Sequence, residues 1–93
     1  MKDAGDDVQR LKSALATEIR RMLDLAGLSV RAAQARTGIA AADFSRVRSG
    51  TDLTRFTVDR LMAIINRLGS RVQVDVRLRD PEGDEAATLN TLP

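Results

Sequence analysis

The 93-residue sequence predicts a mainly α-helical fold of four to five helices, with one C-terminal β-strand that pairs across a homodimer. Apolar residues recur at threes and fours along most of the chain, and glycines close the runs at Gly27, Gly38, Gly50 and Gly69. Phe44 and Phe56 are the only aromatic residues, so the core is built from Leu, Ile, Val, Met and Ala, which suits helix packing better than a sandwich. One stretch changes the period to two, where Val72, Val74, Val76 and Leu78 alternate with Arg71, Gln73, Asp75, Arg77 and Arg79. A chain of this length holds one core, and dimerisation would add to its stability. Residues 1–79 are expected to form the domain, strand 71–79 included, and 80–93 an acidic, flexible tail.

The first helix follows Asp6 or Asp7, either of which can cap it, and carries Val8, Leu11, Leu15, Ile19, Met22 and Ala26 as one apolar stripe up to Gly27. Its other face bears Arg10, Lys12, Arg20 and Arg21; Arg20 and Arg21 read as solvated, with contact to a phosphate backbone the competing reading. Leu28 enters the core and Ser29 caps a second helix, which Ala32, Ala33 and Ala35 keep slim. Gly38 can take a positive φ at no steric cost, so it ends that helix and redirects the chain. A third helix buries Phe44 and Val47 over Ile39 and stops at Gly50, leaving Ala41, Ala42, Asp43, Ser45, Arg46 and Ser49 outward. Thr51 to Phe56 reads as a loop that returns Phe56 to the core. Thr57 then caps a helix with Asp59 in its first turn, where the dipole favours a carboxylate, and Val58, Leu61, Met62, Ile65 and Leu68 form its buried stripe.

Net charge is only +2, but it is uneven: residues 8–79 carry fourteen basic against six acidic side chains, while 80–93 carry Asp80, Glu82, Asp84 and Glu85 with no basic residue. A basic body between acidic ends is the electrostatic footprint of a nucleic-acid binder. Without cysteine there is no disulfide framework and no thiolate metal site. Acid-base or metal catalysis would have to run without His, Cys or Tyr, so no catalytic residue, cofactor or metal is expected. Charges interrupt every apolar run, which argues against a signal peptide or membrane span and for a cytoplasmic protein.

Two short helices broken at Gly38 are what a helix-turn-helix needs to hold one helix rigidly across another and offer its outer face to a DNA major groove. The residues Leu28-Ser29, Gly38-Ile39, Phe44-Ser45-Arg46-Val47 and Gly50 resemble the Cro/repressor, XRE-like helix-turn-helix family. FTVDRLMAIINRLG followed by RVQVDVRL is similar to the HigA-like antitoxin branch, whose members repress their own operon and bind a toxin. The chain departs from the family pattern at three places. Val30 stands where a phosphate-binding glutamine is usual, Gln34 where alanine is usual, and Ala40 where Ser or Thr commonly caps the recognition helix. Alanine at a cap leaves an orphan amide, at a cost of about 1 kcal/mol.

The DNA-binding candidates are Ser29 and Arg31 on the first motif helix; Ala40, Ala41, Ala42, Asp43, Ser45, Arg46, Arg48 and Ser49 on the recognition helix; and Thr51 and Arg55 in the loop behind it. Arg46 is the long donor on the groove-facing side, suited to a bidentate contact with guanine, and the alanines suit thymine methyl groups. Arg48, Thr51 and Arg55 suit phosphates, with a solvated surface position the competing reading for Arg48. Val72, Val74, Val76 and Leu78 are the dimerisation candidates. A lone strand leaves its backbone groups unpaired, so the same strand of a second copy, antiparallel about a two-fold axis, is the economical partner. Centring the pair on Val76 sets Asp75 against Arg77 and Val74 against Leu78.

The leading expectation is a homodimeric repressor of a palindromic operator, acting as the antitoxin of a type II operon that controls its own promoter, with a small basic RNase-type toxin as partner. One alternative is a toxin-neutralising or other interaction module that keeps the helix-turn-helix only as scaffold, since alanine cannot hydrogen-bond a base edge. Another is a phage-type repressor without a toxin.

Overall fold

A computed structural model describes residues 4–79 and 85–88 of the chain. Helix α1 spans Ala4–Ala26, α2 Val30–Thr37, α3 Ala41–Ser49 and α4 Val58–Arg67; a 3-10 turn covers Leu53–Arg55, and two short strands follow, β1 at Arg77–Arg79 and β2 at Glu85–Thr88. Helix α1 begins before the acidic pair, so Asp6 and Asp7 lie in its first turn rather than capping it. There they complement the helix dipole. No helix among the described residues is long and apolar enough to cross a membrane.

The core joins α1, α3 and α4 through Leu15, Ala16, Ile19, Leu23, Phe44, Val47, Leu61, Ile64, Ile65 and Leu68, closed by Ala33 and Phe56. The stripe expected on α1 is corrected. Leu15, Ile19 and Leu23, spaced by four, are its inner face, while Met22 is half-buried and Ala26 exposed. Val8 and Leu11 are 39% and 37% exposed because the helix begins well before the core does. Lys12 is buried, its long aliphatic stem able to lie along apolar surface. On α4 the stripe gains Ile64, 1% exposed, and its edges, Val58 and Met62, pack against the cluster from outside.

The connections are local chemistry. The Ser29 hydroxyl accepts from the Ala32 amide at 3.1 Å, capping α2. Gly38 takes φ 80° and its N–H donates to the Gln34 carbonyl at 2.8 Å, ending α2 at Thr37, with Ile39 and Ala40 leading from Gly38 into α3. A side chain there would be strained, since a Cβ disfavours positive φ. The Thr57 hydroxyl accepts from the Arg60 amide at 3.3 Å, capping α4.

The C-terminal expectation is corrected as well. The chain supplies its own second strand: β1 pairs antiparallel with β2 in the register Arg77 to Thr88, Leu78 to Ala87 and Arg79 to Glu85, with an irregularity between Leu78 and Arg79. A period of two marks a face and not a partner, and Glu85-Ala86-Ala87-Thr88 carries no alternation of large apolar side chains that would have announced a strand. Residues 71–76, expected in the strand, form no ladder among the described residues. Apart from β2, the expected acidic tail 80–93 lies outside the described residues.

Candidate nucleic-acid interface

Helix α3 is held on three sides. Phe44 and Val47, both fully buried, seat it on the core. With about 100° of turn per residue, Asp43 and Arg48 fall on opposite flanks of that buried edge. Asp43 ion-pairs with Arg60 of α4 at 2.7 Å, and Arg48 with Asp24 of α1 at 2.8 Å. Arg20 of α1 also donates to the Arg48 carbonyl at 3.5 Å. The side left outward carries Ala42, Ser45 and Ser49, all exposed, and Arg46, whose side chain is 37% exposed.

This corrects the outward set. Asp43 is turned toward α4 with its side chain only 13% exposed, and Ala41 is half-buried. The physical reason is charge: an aspartate at the edge of a buried face meets the arginine of the neighbouring helix before it meets solvent. Arg46 donates to the other oxygen of the same carboxylate at 3.2 Å, so the arginine singled out for base reading sits in a three-residue ion cluster.

The remaining candidates are spread around α3. Ala40 is exposed at its start. Ser29 and Arg31 are exposed at the start of α2, with the Ser29 oxygen occupied as a cap. The Ser49 hydroxyl donates to the Arg46 carbonyl at 3.1 Å, so the 2.8 Å contact between Ser49 and Thr51 has Thr51 as donor. Arg55 is exposed on the 3-10 turn that replaces the expected loop, and Arg48 leans toward α1. The dimerisation set divides: Val72 packs against the core of its own chain, whereas Val74, Val76 and Leu78 are 51%, 51% and 45% exposed.

Three contributors escape sequence reasoning. Gln34 Oε1 accepts from the Ala41 amide at 2.8 Å, so one of the orphan amides at the start of α3 is satisfied from α2. Gln34, one of the departures from the family pattern, thus ties α2 to the start of α3. Arg60 is the second: its guanidinium lies 5.6 Å from the Phe56 ring centroid while it holds Asp43. Arg67 is the third, donating to the Thr37 carbonyl at 3.0 Å at the end of α2. No short-range sequence signal marks these contacts, because their partners are seven to thirty positions apart.

A helix clamped across its neighbours with its outer face clear defines a helix-turn-helix domain. The helix-turn-helix domain family matches residues 1–77. A solved structure named, provisionally, as an XRE family transcriptional regulator is 33% identical, with a TM-score of 0.73 over 91% of this chain and 93% of that one. The chain belongs to the helix-turn-helix domain family, in its XRE-like form. No curated protein matches it.

Proposed function

We infer that the protein is a sequence-specific DNA-binding transcriptional repressor, acting in the cytoplasm as a homodimer. The observation that carries this reading is the exposed outer side of α3, where Ala42, Ser45, Arg46 and Ser49 are presented by a helix fixed on its other sides. The basic balance of residues 8–79 supports it, because phosphate neutralisation supplies most non-specific affinity. In this reading Arg46 reads a guanine, Ala42 touches a thymine methyl group, and Arg31, Arg55 and Thr51 meet phosphates. The experiment is a binding titration of the chain on its own upstream DNA against scrambled duplex, over a range of salt. A retarded complex at matched salt only on the upstream DNA is expected; equal binding to both duplexes would remove the sequence-specific part of the claim.

The homodimer is supported by the three exposed apolar residues Val74, Val76 and Leu78, and by the size of the hairpin beside them. A two-stranded hairpin is marginal in water, and a second copy would cover its apolar residues. A two-fold pair would set two recognition helices on half-sites about one DNA turn, roughly 34 Å, apart. Light scattering should give twice the chain mass, and Val76→Asp should return it to the monomer.

The finer reading is the antitoxin of a type II operon that represses its own promoter, with a small basic RNase-type toxin as partner. The resemblance of the segment from Phe56 to Arg79 to the HigA-like branch supports it. Co-expression with the adjacent reading frame tests it: rescue of growth and a co-purifying complex are expected. A neighbour that is harmless on its own would leave a plain repressor.

A further inference from the structure

We propose that Asp43 and Arg60 are positioning residues for base reading, which hold the Arg46 guanidinium in one orientation at the outer side of α3. The inference rests on the reading of α3 as a major-groove helix. The Asp43 carboxylate is divided between two arginines: Oδ1 accepts from Arg46 Nη1 at 3.2 Å and Oδ2 from Arg60 Nη2 at 2.7 Å. Its side chain is 13% exposed, so it is set back from the surface on which Arg46 opens. Arg60 is itself fixed, its guanidinium 5.6 Å from the ring centroid of Phe56, and Phe56 is 2% exposed in the core. Fixation therefore runs from the core through Phe56, Arg60 and Asp43 to Arg46.

A guanidinium has five N–H donors, and Asp43 takes one of Arg46's, leaving others for the O6 and N7 of guanine. Two guanidiniums on one carboxylate leave a net positive charge, so the cluster still attracts the groove edge. Because Arg60 already satisfies the second oxygen, Arg46 can adjust without stranding the carboxylate. A long side chain ordered before binding spares the loss of rotamer freedom on binding, which corresponds to about two- to tenfold in affinity.

The test starts from duplexes selected by the wild-type chain out of a randomised library, followed by a panel of single-base variants of the selected sequence. Arg46→Ala should flatten the preference at one base pair. Asp43→Ala and Arg60→Ala should each lower the preference at that same base pair by about two- to tenfold, with affinity for non-selected duplex nearly unchanged. The double variant Asp43→Ala/Arg46→Ala should discriminate no worse than Arg46→Ala alone, because Asp43 acts only through Arg46. Thermal melts accompany each variant. Should Asp43→Ala fail to fold, Arg60→Ala, at a position 57% exposed, carries the comparison alone.

A uniform loss on all duplexes, a changed preference at a different base pair, or additive effects in the double variant would each overturn the positioning role. If Arg46→Ala leaves every preference intact, the inference falls while DNA binding stands. Selection of no sequence at all by the wild type would remove the base-reading function together with it.

Discussion

Gln34 and Thr37 show how much of the helix-turn-helix depends on single polar atoms. Gln34 Oε1 accepts from the first amide of α3, so Gln34→Ala should lower stability by about 1 kcal/mol in denaturant titration. Adding Ala40→Ser should offset part of that loss through a different amide, because a serine at the cap position accepts from the second or third amide of the helix. Thr37 is 5% exposed; its hydroxyl donates to the Ala33 carbonyl at 2.7 Å and accepts from the Ile39 amide at 3.1 Å. Thr37→Val keeps the shape and strands that amide, for an expected loss of about 1–3 kcal/mol, whereas Thr37→Ser should lose much less. At this scale the sequence was legible where a residue caps its own helix, as Ser29 and Thr57 do. It was silent where the cap reaches across from another helix, since nothing in the local order of residues marks Gln34 as the partner of Ala41.

Among the helices, α4 carries the most explicit terminus. The Thr57 hydroxyl accepts from the Arg60 amide and, through its proton, bonds the Asp59 carboxylate, which together with the backbone amides of Asp59 and Arg60 holds the Asp59 carboxyl below its ordinary value. A carboxyl lowered in the folded state stabilises the fold above the unfolded value and loses that contribution as pH falls through the folded one. Asp59→Asn should therefore lower Tm at neutral pH, and the difference from wild type should close as the pH falls below about 4. Recognition helix α3 is read correctly at its inner side and its two ends. Its flanks are not, because the ion pairs to α1 and α4 depend on how helices cross, which periodicity does not encode. The exposed Arg48 to Asp24 pair, 40% and 70% exposed, contributes roughly 0–1 kcal/mol, so Asp24→Ala should barely shift the melt while releasing Arg48. The β2 strand was missed for a different reason: four residues with no apolar alternation have no period to detect.

For the whole molecule, charge distribution makes the most general prediction. Among the described residues Arg31 and Arg55 are exposed arginines with no ion pair, one on α2 and one on the 3-10 turn behind α3. If each neutralises one phosphate, Arg31→Ala and Arg55→Ala should each lower affinity equally for all duplexes and reduce the salt slope by about one. Arg48→Ala serves as the comparison: an unchanged slope there would mean that its pairing with Asp24 persists on DNA. The helical body with its single core was legible from the spacing of apolar residues and four glycines. How the C-terminal strand is paired was not, because pairing is a property of the assembled chain.

The first helix also sets a clock. From Gly5 to Leu11 every residue of α1 is exposed, whereas Leu15 to Leu23 supply much of the core. About two turns, on the order of 10 Å, thus add no buried side chain to the core. Their backbone amides can trade deuterium by fraying alone, while those around Ile19 must wait for the whole domain to open. Exchange followed by mass spectrometry should show a steep rise in protection between Leu11 and Leu15. Slow exchange already at Val8 would reveal that this overhang is covered in solution, and a dependence of that protection on protein concentration would assign the cover to a second molecule.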